Sequence, residues 1–149
     1  MALNTDFTTQ VLTSTQMNNF PRGLVSVTSA TTATGTFTTE VTSLTAPSFT
    51  AVANRYYRIS YFEPVLQYIS GTVTTIQMTL KIGGVAILFG ESKISSATNN
   101  IGYITTTRTL TAGANVITGT LLANGGGGGN AYRAATAIAQ IVIEDLGST

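Results

Sequence analysis

The most regular stretch of this 149-residue sequence is Val73-Thr-Thr-Ile-Gln-Met-Thr-Leu-Lys-Ile-Gly-Gly-Val-Ala-Ile-Leu-Phe89. Its first ten residues alternate, with apolar side chains at every second position from Ile76 to Ile82. This period of two predicts a β-strand with one buried face. Gly83-Gly84 then predicts a two-residue hairpin turn, because glycine adopts positive φ at both central positions without steric cost.

A two-residue loop fixes which residues face each other across the predicted hairpin. Ile82 is expected opposite Val85, Leu80 opposite Ile87, and Met78 opposite Phe89. All three pairs would then lie on one face, so the apolar pattern is expected to specify this register.

The rest of the chain continues in short β-rich runs separated by turn signals. A turn is predicted at 112–115 and a polar loop at 91–100, and no segment of ten or more residues shows a helical period with caps. About eight or nine strands predict an all-β domain over residues 23–149, an antiparallel β-sandwich with the jelly roll as its leading form. Besides the hairpin, strands are expected at 24–29, 34–39, 41–52 with a bend or an edge position at Pro47, 55–67, 101–110, 116–122 and 131–144.

Residues 1–22 are predicted to form an extended N-terminal arm, because residues 1–20 are polar with isolated apolar side chains and no self-sufficient helical pattern. We expect this arm to become ordered on a partner, where its apolar residues would act as anchors. The alternative is a terminus that stays disordered. The proposed anchors are Leu3, Phe7, Val11, Leu12, Met17 and Phe20.

The composition excludes several function classes. Charged residues make up 9% of the chain and its net charge is +1, so neither nucleic acid nor an anionic membrane is an expected partner. Such low charge with a mean hydropathy of +0.28 predicts that part of the surface is covered by other subunits. The N-terminus lacks the basic and apolar regions of a secretory signal, which predicts synthesis in the cytoplasm.

No residue pattern indicates catalysis or a cofactor. The chain has no Cys and no His, so thiolate chemistry and the commonest general base and metal ligand are absent. The spacing of the acids Glu40, Glu63, Glu91, Glu144 and Asp145 selects no catalytic pair or metal site. We therefore predict that the chain is not an enzyme and binds neither metal nor cofactor.

Five glycines at 125–129 lack the Lys-Ser/Thr ending of a phosphate-binding loop. We predict a flexible hairpin linker there, in which a substitution at Gly127 would be nearly silent.

Two apolar regions are candidates for a subunit interface. Tyr56-Tyr57-Arg58 could stack on a sugar or a base, but core and interface packing is the favoured interpretation. The predicted strand over 131–144 has no polar side, and its alanines suggest a closely packed neighbour, the alternative being a narrow part of the same core. The residues predicted to form a trimer interface are Tyr56, Arg58, Phe62, Ala135, Ala137 and Ala139.

Three segments resemble small virion proteins of tailed bacteriophages: Ala51-Val-Ala-Asn-Arg-Tyr-Tyr-Arg-Ile-Ser-Tyr61, Leu110-Thr-Ala-Gly-Ala-Asn-Val116 and Ile141-Val-Ile-Glu-Asp-Leu-Gly147. With the glycine-turned hairpin, the resemblance covers about residues 23 to 147. It implies a β-sandwich module of a head or a tail, often trimeric, such as a capsid cement (decoration) protein or part of a fibre. The arm before Gly23 is less typical of that group.

The resemblance implies a structural function. The first expectation is a homotrimeric cement protein on the capsid exterior that binds the major capsid protein and is made in the host cytoplasm. The alternative is a fibre or receptor-binding head that recognises a host surface glycan. Neither function requires nucleic acid, a membrane or a cofactor.

Overall fold

The computed structural model describes residues 14–149. Within this range the chain forms one short helix and eleven strands: α1 (Ser14–Asn19), β1 (Gly23–Ala30), β2 (Val41–Thr45), β3 (Phe49–Ala51), β4 (Arg55–Gly71), β5 (Thr75–Ile82), β6 (Val85–Lys93), β7 (Asn100–Thr109), β8 (Gly113–Asn115), β9 (Ile117–Asn124), β10 (Gly127–Tyr132) and β11 (Ala139–Ser148).

The strands form three antiparallel sheets, so the predicted all-β, antiparallel class is confirmed. The five-stranded sheet has the order β1-β11-β4-β10, and β7 also pairs with β4. The four-stranded sheet has the order β2-β9-β5-β6, and β3 pairs with β8 in a small third sheet.

The core lies where side chains of the two larger sheets meet. The hairpin strand β5 contributes Ile76, Met78 and Leu80, each at most 1% exposed, which confirms the buried face predicted from the alternation. From the five-stranded sheet, the ring of Tyr61 lies against the backbone of Gly119 in β9. The same cluster includes Tyr57, Ile59, Leu66, Ile117, Leu121, Ile141 and Ile143.

The predicted hairpin forms, but most of its expected register is wrong. Gly83 and Gly84 both have positive φ, and Ile82 pairs with Val85 as expected. A β-bulge next to Leu80 then places one extra residue, Ile87, in β6. Phe89 consequently pairs with Thr79 instead of Met78 and is 65% exposed.

The predicted last strand over 131–144 is in fact two strands. β10 pairs with β4 from Gly71 to Val65, and β11 pairs with it from Phe62 to Arg55. Leu66 and Tyr61 of β4 also pair with β7, so β10 and β11 lie end to end along the opposite edge of β4. Residues 133–138 leave the sheet in a turn closed by reciprocal backbone hydrogen bonds between Ala134 and Ala137, both 3.0 Å.

Three further segments differ from prediction. Residues 34–39 form only an isolated bridge, in which Phe37 pairs with Gly129. The predicted turn at 112–115 contains β8, because it lies beside β3. The glycine run does not connect a hairpin, since β9 and β10 belong to different sheets, and Gly127–Gly129 are part of β10.

The glycines of β10 are required by close contacts. Gly127 has a φ of +130°, and a Cβ added there would lie 2.2 Å from the carbonyl oxygen of Ser70. Both the backbone conformation and the space therefore exclude a side chain at this position. The predicted tolerance of Gly127 to substitution does not fit this arrangement.

We predict that Gly127→Ala lowers the free energy of unfolding several times more than Gly35→Ala. Gly35 also has positive φ (+74°), but no atom lies within 4 Å of an added Cβ, so its substitution should cost only about 1 kcal/mol. Urea denaturation of both variants measures the difference. Equal decreases in the free energy of unfolding would show that the short distance to Ser70 does not restrict the residue type at position 127.

Candidate interaction surface

The five-stranded sheet has one face against the core and one face turned away from it. Because side chains alternate along a strand, the inward Tyr57, Ile59 and Tyr61 of β4 leave its intervening residues on the other side. Neighbouring strands add their own outward residues in register. We call this surface the outer face; it consists of Leu24, Val27, Ser29, Tyr56, Arg58, Ser60, Phe62, Tyr103, Thr105, Thr107, Thr109, Gln140, Val142 and Glu144.

The outer face includes several large apolar side chains that are exposed. Leu24 is 64% exposed and Tyr103 is 58% exposed, while Val27 and Tyr56 are both above 40%. A contiguous apolar patch on a folded protein commonly marks a site of interaction.

The charges on this face cancel. Arg58 Nε donates to Glu144 Oε2 at 2.8 Å. The hydrogen bond from Arg58 lowers the pKa of Glu144, and the same bond raises the pKa of Arg58. Both groups are therefore ionised near neutral pH, and the outer face carries no net charge.

A shallow depression of about 590 Å³ lies in the middle of the outer face. The Phe62 and Tyr103 side chains line it together with polar groups. The Tyr103 hydroxyl donates to Ser60 Oγ at 3.3 Å, and Ser60 Oγ lies 3.0 Å from the Thr105 hydroxyl.

A second apolar surface lies at the margin of the four-stranded sheet. Among residues 14–149, β6 pairs only with β5, and it begins with the five apolar residues Val85–Phe89. Ile87 and Leu88 of this run are partly buried against the core. Val85 is 69% exposed and Phe89 is 65% exposed. At the far end of the strand, side chains link β6 to β7, for example Ser92 Oγ to the carbonyl oxygen of Ile101 at 3.1 Å. We call residues 85–89 the β6 edge.

The residues predicted to form a trimer interface do not lie on one surface. Tyr56, Arg58 and Phe62 are together on the outer face. Ala139 is fully buried in the core, so its side chain is not available to another subunit. Ala135 is exposed and Ala137 half-buried in the turn between β10 and β11.

The sequence prediction missed Leu24, Val27, Tyr103 and Val142. Tyr103 and Val142 alternate with buried residues of their own strands, so a period-two pattern was available. Their position beside Phe62 and Ser60 depends on which strands pair with β4, and that pairing is not encoded locally.

The predicted arm falls only partly within the described residues. Leu3, Phe7, Val11 and Leu12 lie outside them. Met17 and Phe20 are 61% and 54% exposed, so neither side chain is packed into the core.

A buried ion pair holds the chain at the end of α1. Arg55 donates to both carboxylate oxygens of Asp145, at 2.7 and 2.8 Å. The same guanidinium also donates to the backbone carbonyls of Asn18 and Phe20, the latter at 2.7 Å. Burial raises the pKa of Asp145, but the hydrogen bonds from Arg55 and from the Gly147 N–H outweigh it and hold that pKa below its ordinary value.

A second buried cluster surrounds Glu63, which is 0% exposed. Arg133 donates to both of its carboxylate oxygens, at 2.5 and 3.0 Å. The Tyr61 hydroxyl donates to Glu63 at 2.6 Å, and Ser43 of the other sheet also donates to it. Burial and the adjacent carboxylate raise the pKa of Tyr61 well above its usual range.

The other acids considered as catalytic candidates also have partners. Glu40 contacts Lys81 at 2.7 Å and accepts from Thr120, while Glu91 accepts from Asn124 at 3.1 Å. Within residues 14–149, no group of three acids is placed to hold a metal ion. No helix in the described part of the chain has the length and apolar character needed to cross a membrane.

Comparison with known proteins adds little. No protein-family model matches the chain, and no curated protein matches it. Among solved structures, dimeric latent PorU from Porphyromonas gingivalis is similar over 84% of this chain and 13% of the PorU chain, with a TM-score of 0.40 and 9% identity. Information on function therefore comes from this chain's own residues.

We predict that Glu63→Gln lowers the free energy of unfolding by about 3–5 kcal/mol, because it leaves the buried charge of Arg133 without a counter-charge. Glu144→Gln is the matched control, since its pair with Arg58 is largely exposed and should contribute little. Urea denaturation at pH 7 compares them. A decrease in the free energy of unfolding as small as that of Glu144→Gln would mean that the buried pair of Glu63 and Arg133 does not stabilise the fold.

We predict that Asp145→Asn destabilises the protein at pH 7 and that its difference from the natural chain shrinks in acid. The folded-state pKa of Asp145 is lowered, so its stabilisation is present above the ordinary value of 3.8 and is lost as pH falls through the folded-state pKa. Denaturation midpoints of both proteins at pH 7 and at successively lower pH test this. A difference that stays constant would contradict it.

Proposed function

We propose that this chain is a structural protein of a tailed-bacteriophage virion, and specifically a homotrimeric capsid cement protein. The observation that carries the proposal is the outer face, a surface with several exposed apolar side chains and no net charge, on a chain that has few charges anywhere. Such a surface suits permanent contact with protein. The resemblance of three sequence segments to small virion proteins supports the same proposal.

We further propose that the fold is a sandwich of jelly-roll type. The strand orders β1-β11-β4-β7 and β2-β9-β5-β6 support this. Along the chain, β1, β4, β7 and β11 belong to one sheet, and β2, β5, β6 and β9 to the other. This is the arrangement expected of two interleaved Greek keys, as in jelly-roll capsid domains.

In this proposal the N-terminal arm binds the major capsid protein on the capsid exterior. The geometry at the end of α1 supports it, because Arg55 fixes the backbone at Asn18 and Phe20 while the Met17 and Phe20 side chains stay exposed. The arm would therefore start from a fixed point and keep apolar groups available for a partner.

We propose no catalytic activity and no cofactor. Glu63 supports this view: it is the most enclosed acid within residues 14–149, and Arg133, Tyr61 and Ser43 already occupy its carboxylate. The Glu63 carboxylate is placed to connect the two sheets rather than to contact a substrate.

One observation favours the second candidate, a fibre head that recognises a host glycan. The depression in the outer face combines the Phe62 and Tyr103 side chains with the polar groups of Ser60 and Gln140. Aromatic faces with adjacent hydrogen-bonding groups suit a sugar ring.

Copy number distinguishes the two functions. We predict that quantitative mass spectrometry of purified virions finds this chain at a level comparable to the major capsid protein, because a cement protein occupies sites over the whole capsid. The tail proteins of the same virions give the reference for low copy number. A level matching those tail proteins would overturn the cement function and support the fibre head.

A further inference from the structure

We infer that residues 3–11 of the N-terminal arm add a strand to the free edge of β7 in the next copy of the trimer. The added strand would run antiparallel to β7. This inference rests on the proposed homotrimer and goes beyond it, because it assigns this segment to a second copy and leaves the exposed Met17 and Phe20 for the major capsid protein.

Within residues 14–149, β7 is the one free sheet edge that is both long and without a bulge. It has ten residues, no proline and a single charge, and only β4 pairs with it among the described strands. The N–H and C=O groups on its other side lack a strand partner. An edge of this kind readily accepts an extended peptide as a further strand.

The other edges are protected against such pairing. β1 has an extra residue, Val25, opposite β11, and β2 has an extra residue, Ser43, opposite β9. The β6 edge contains the bulge at Ile87, and Phe37 bridges to Gly129 at the edge of β10. β3 and β8 are only three residues long. Bulges, covers and short strands are how proteins block an edge, and β7 has none of them.

The side of β7 that faces the core is incompletely covered. Ile104, Thr106 and Arg108 are half-buried, whereas Ile59 and Tyr61, inward residues of the neighbouring β4, are 0% exposed. The Arg108 Nε is buried and has no hydrogen-bond partner in the described part of the chain. A strand beside β7 would cover Ile104 and bring a carbonyl oxygen close to this donor.

The arm has the sequence of a strand with one apolar side. Leu3, Phe7 and Val11 recur at every fourth position, so an extended backbone places them on one side, with threonine between them. The other side is polar and consists of Asn4, Asp6, Thr8 and Gln10. Asp6 is the only charged side chain of this segment and Arg108 the only one of β7, and the two are opposite in sign.

The direction of the chain favours a second copy as the donor. Arg55 binds the end of α1, and the adjacent Tyr56 pairs with Thr109 at the end of β7. The arm of the same chain therefore starts at that end and could follow β7 only in the parallel direction. All strand pairs of the described residues are antiparallel. A neighbouring copy can supply an antiparallel arm, and the trimer contact keeps that arm close.

Cysteine cross-linking tests the pairing, because the natural chain has no Cys. Thr8→Cys places a thiol on the polar side of the arm segment, and Thr107→Cys places one on the outer face at β7. We predict that the double variant, treated with a short bismaleimide, gives a covalent trimer on a denaturing gel. Each single variant should stay monomeric on that gel.

The control pairs Thr8→Cys with Ser29→Cys, which lies on the outer face at β1, the opposite edge of the same sheet. This pair should not cross-link. Equal cross-linking through Ser29 would overturn the inference. A Thr8–Thr107 cross-link confined to single chains would overturn it as well, because the donor would then be the same copy.

Hydrogen exchange gives a second measurement on variants that leave residues 14–149 unchanged. Phe7→Asp adds a charge to the apolar side of the arm segment, and Thr8→Asp adds the same charge to its polar side. We predict that the β7 amides exchange about tenfold faster in Phe7→Asp than in Thr8→Asp, because loss of the added strand exposes their edge. Equal exchange in the two variants would contradict the pairing.

Light scattering of the same proteins separates the inference from the function on which it rests. A trimeric Thr8/Thr107 double variant that does not cross-link overturns the arm pairing but leaves the proposed trimer standing. A natural chain that is monomeric overturns both.

Discussion

The structure depends on the pairing of β4 along both of its edges. This strand of 17 residues pairs with β10 and β11 on one side and with β7 on the other. Its period of two means that burying Tyr57, Ile59 and Tyr61 necessarily turns Tyr56, Arg58 and Phe62 outward. The composition of the outer face is therefore a direct consequence of the core, and a shift of one residue would exchange the two sets of side chains.

Two buried ion pairs hold β4 in this register. Arg55 at its start binds Asp145 of β11, and Glu63 near its middle binds Arg133 in the turn between β10 and β11. Each pair also reaches beyond the sheet, the first to the end of α1 and the second to Ser43 in the facing sheet. A displaced strand would leave these charges buried without partners, which is a much larger penalty than a lost surface contact.

The sequence was sufficient for features that depend on local pattern. The alternation in β5, the glycine turn and the interruption of the strand at Pro47 all follow from side-chain type and backbone freedom, and all are present. The extra residue Ile87 could not be predicted from the sequence, because the position of a β-bulge depends on how the neighbouring strands pack.

The glycine run and the alanine segment were misjudged for a related reason. Gly127 appeared flexible, yet its lack of a side chain lets β10 approach the backbone of Ser70. The alanines at 134–137 appeared to continue a strand. They lie instead in a turn and do not pair with β4. The buried partners of Glu63 and Asp145 lie 70 and 90 residues away in sequence, so spacing alone could not reveal them.

In the proposed function, a core held in register by buried ion pairs presents the outer face to another copy of the chain. Val142 lies on that face between Val27 and Ser60, away from the buried ion pairs. The most direct measurement is the light-scattering mass of the natural chain beside that of Val142→Glu, with circular dichroism to confirm that the variant is folded. The account predicts about three times the 15.5 kDa chain mass for the natural protein and the single-chain mass for the variant. A natural chain that is monomeric, or a folded Val142→Glu variant that stays trimeric, would contradict it.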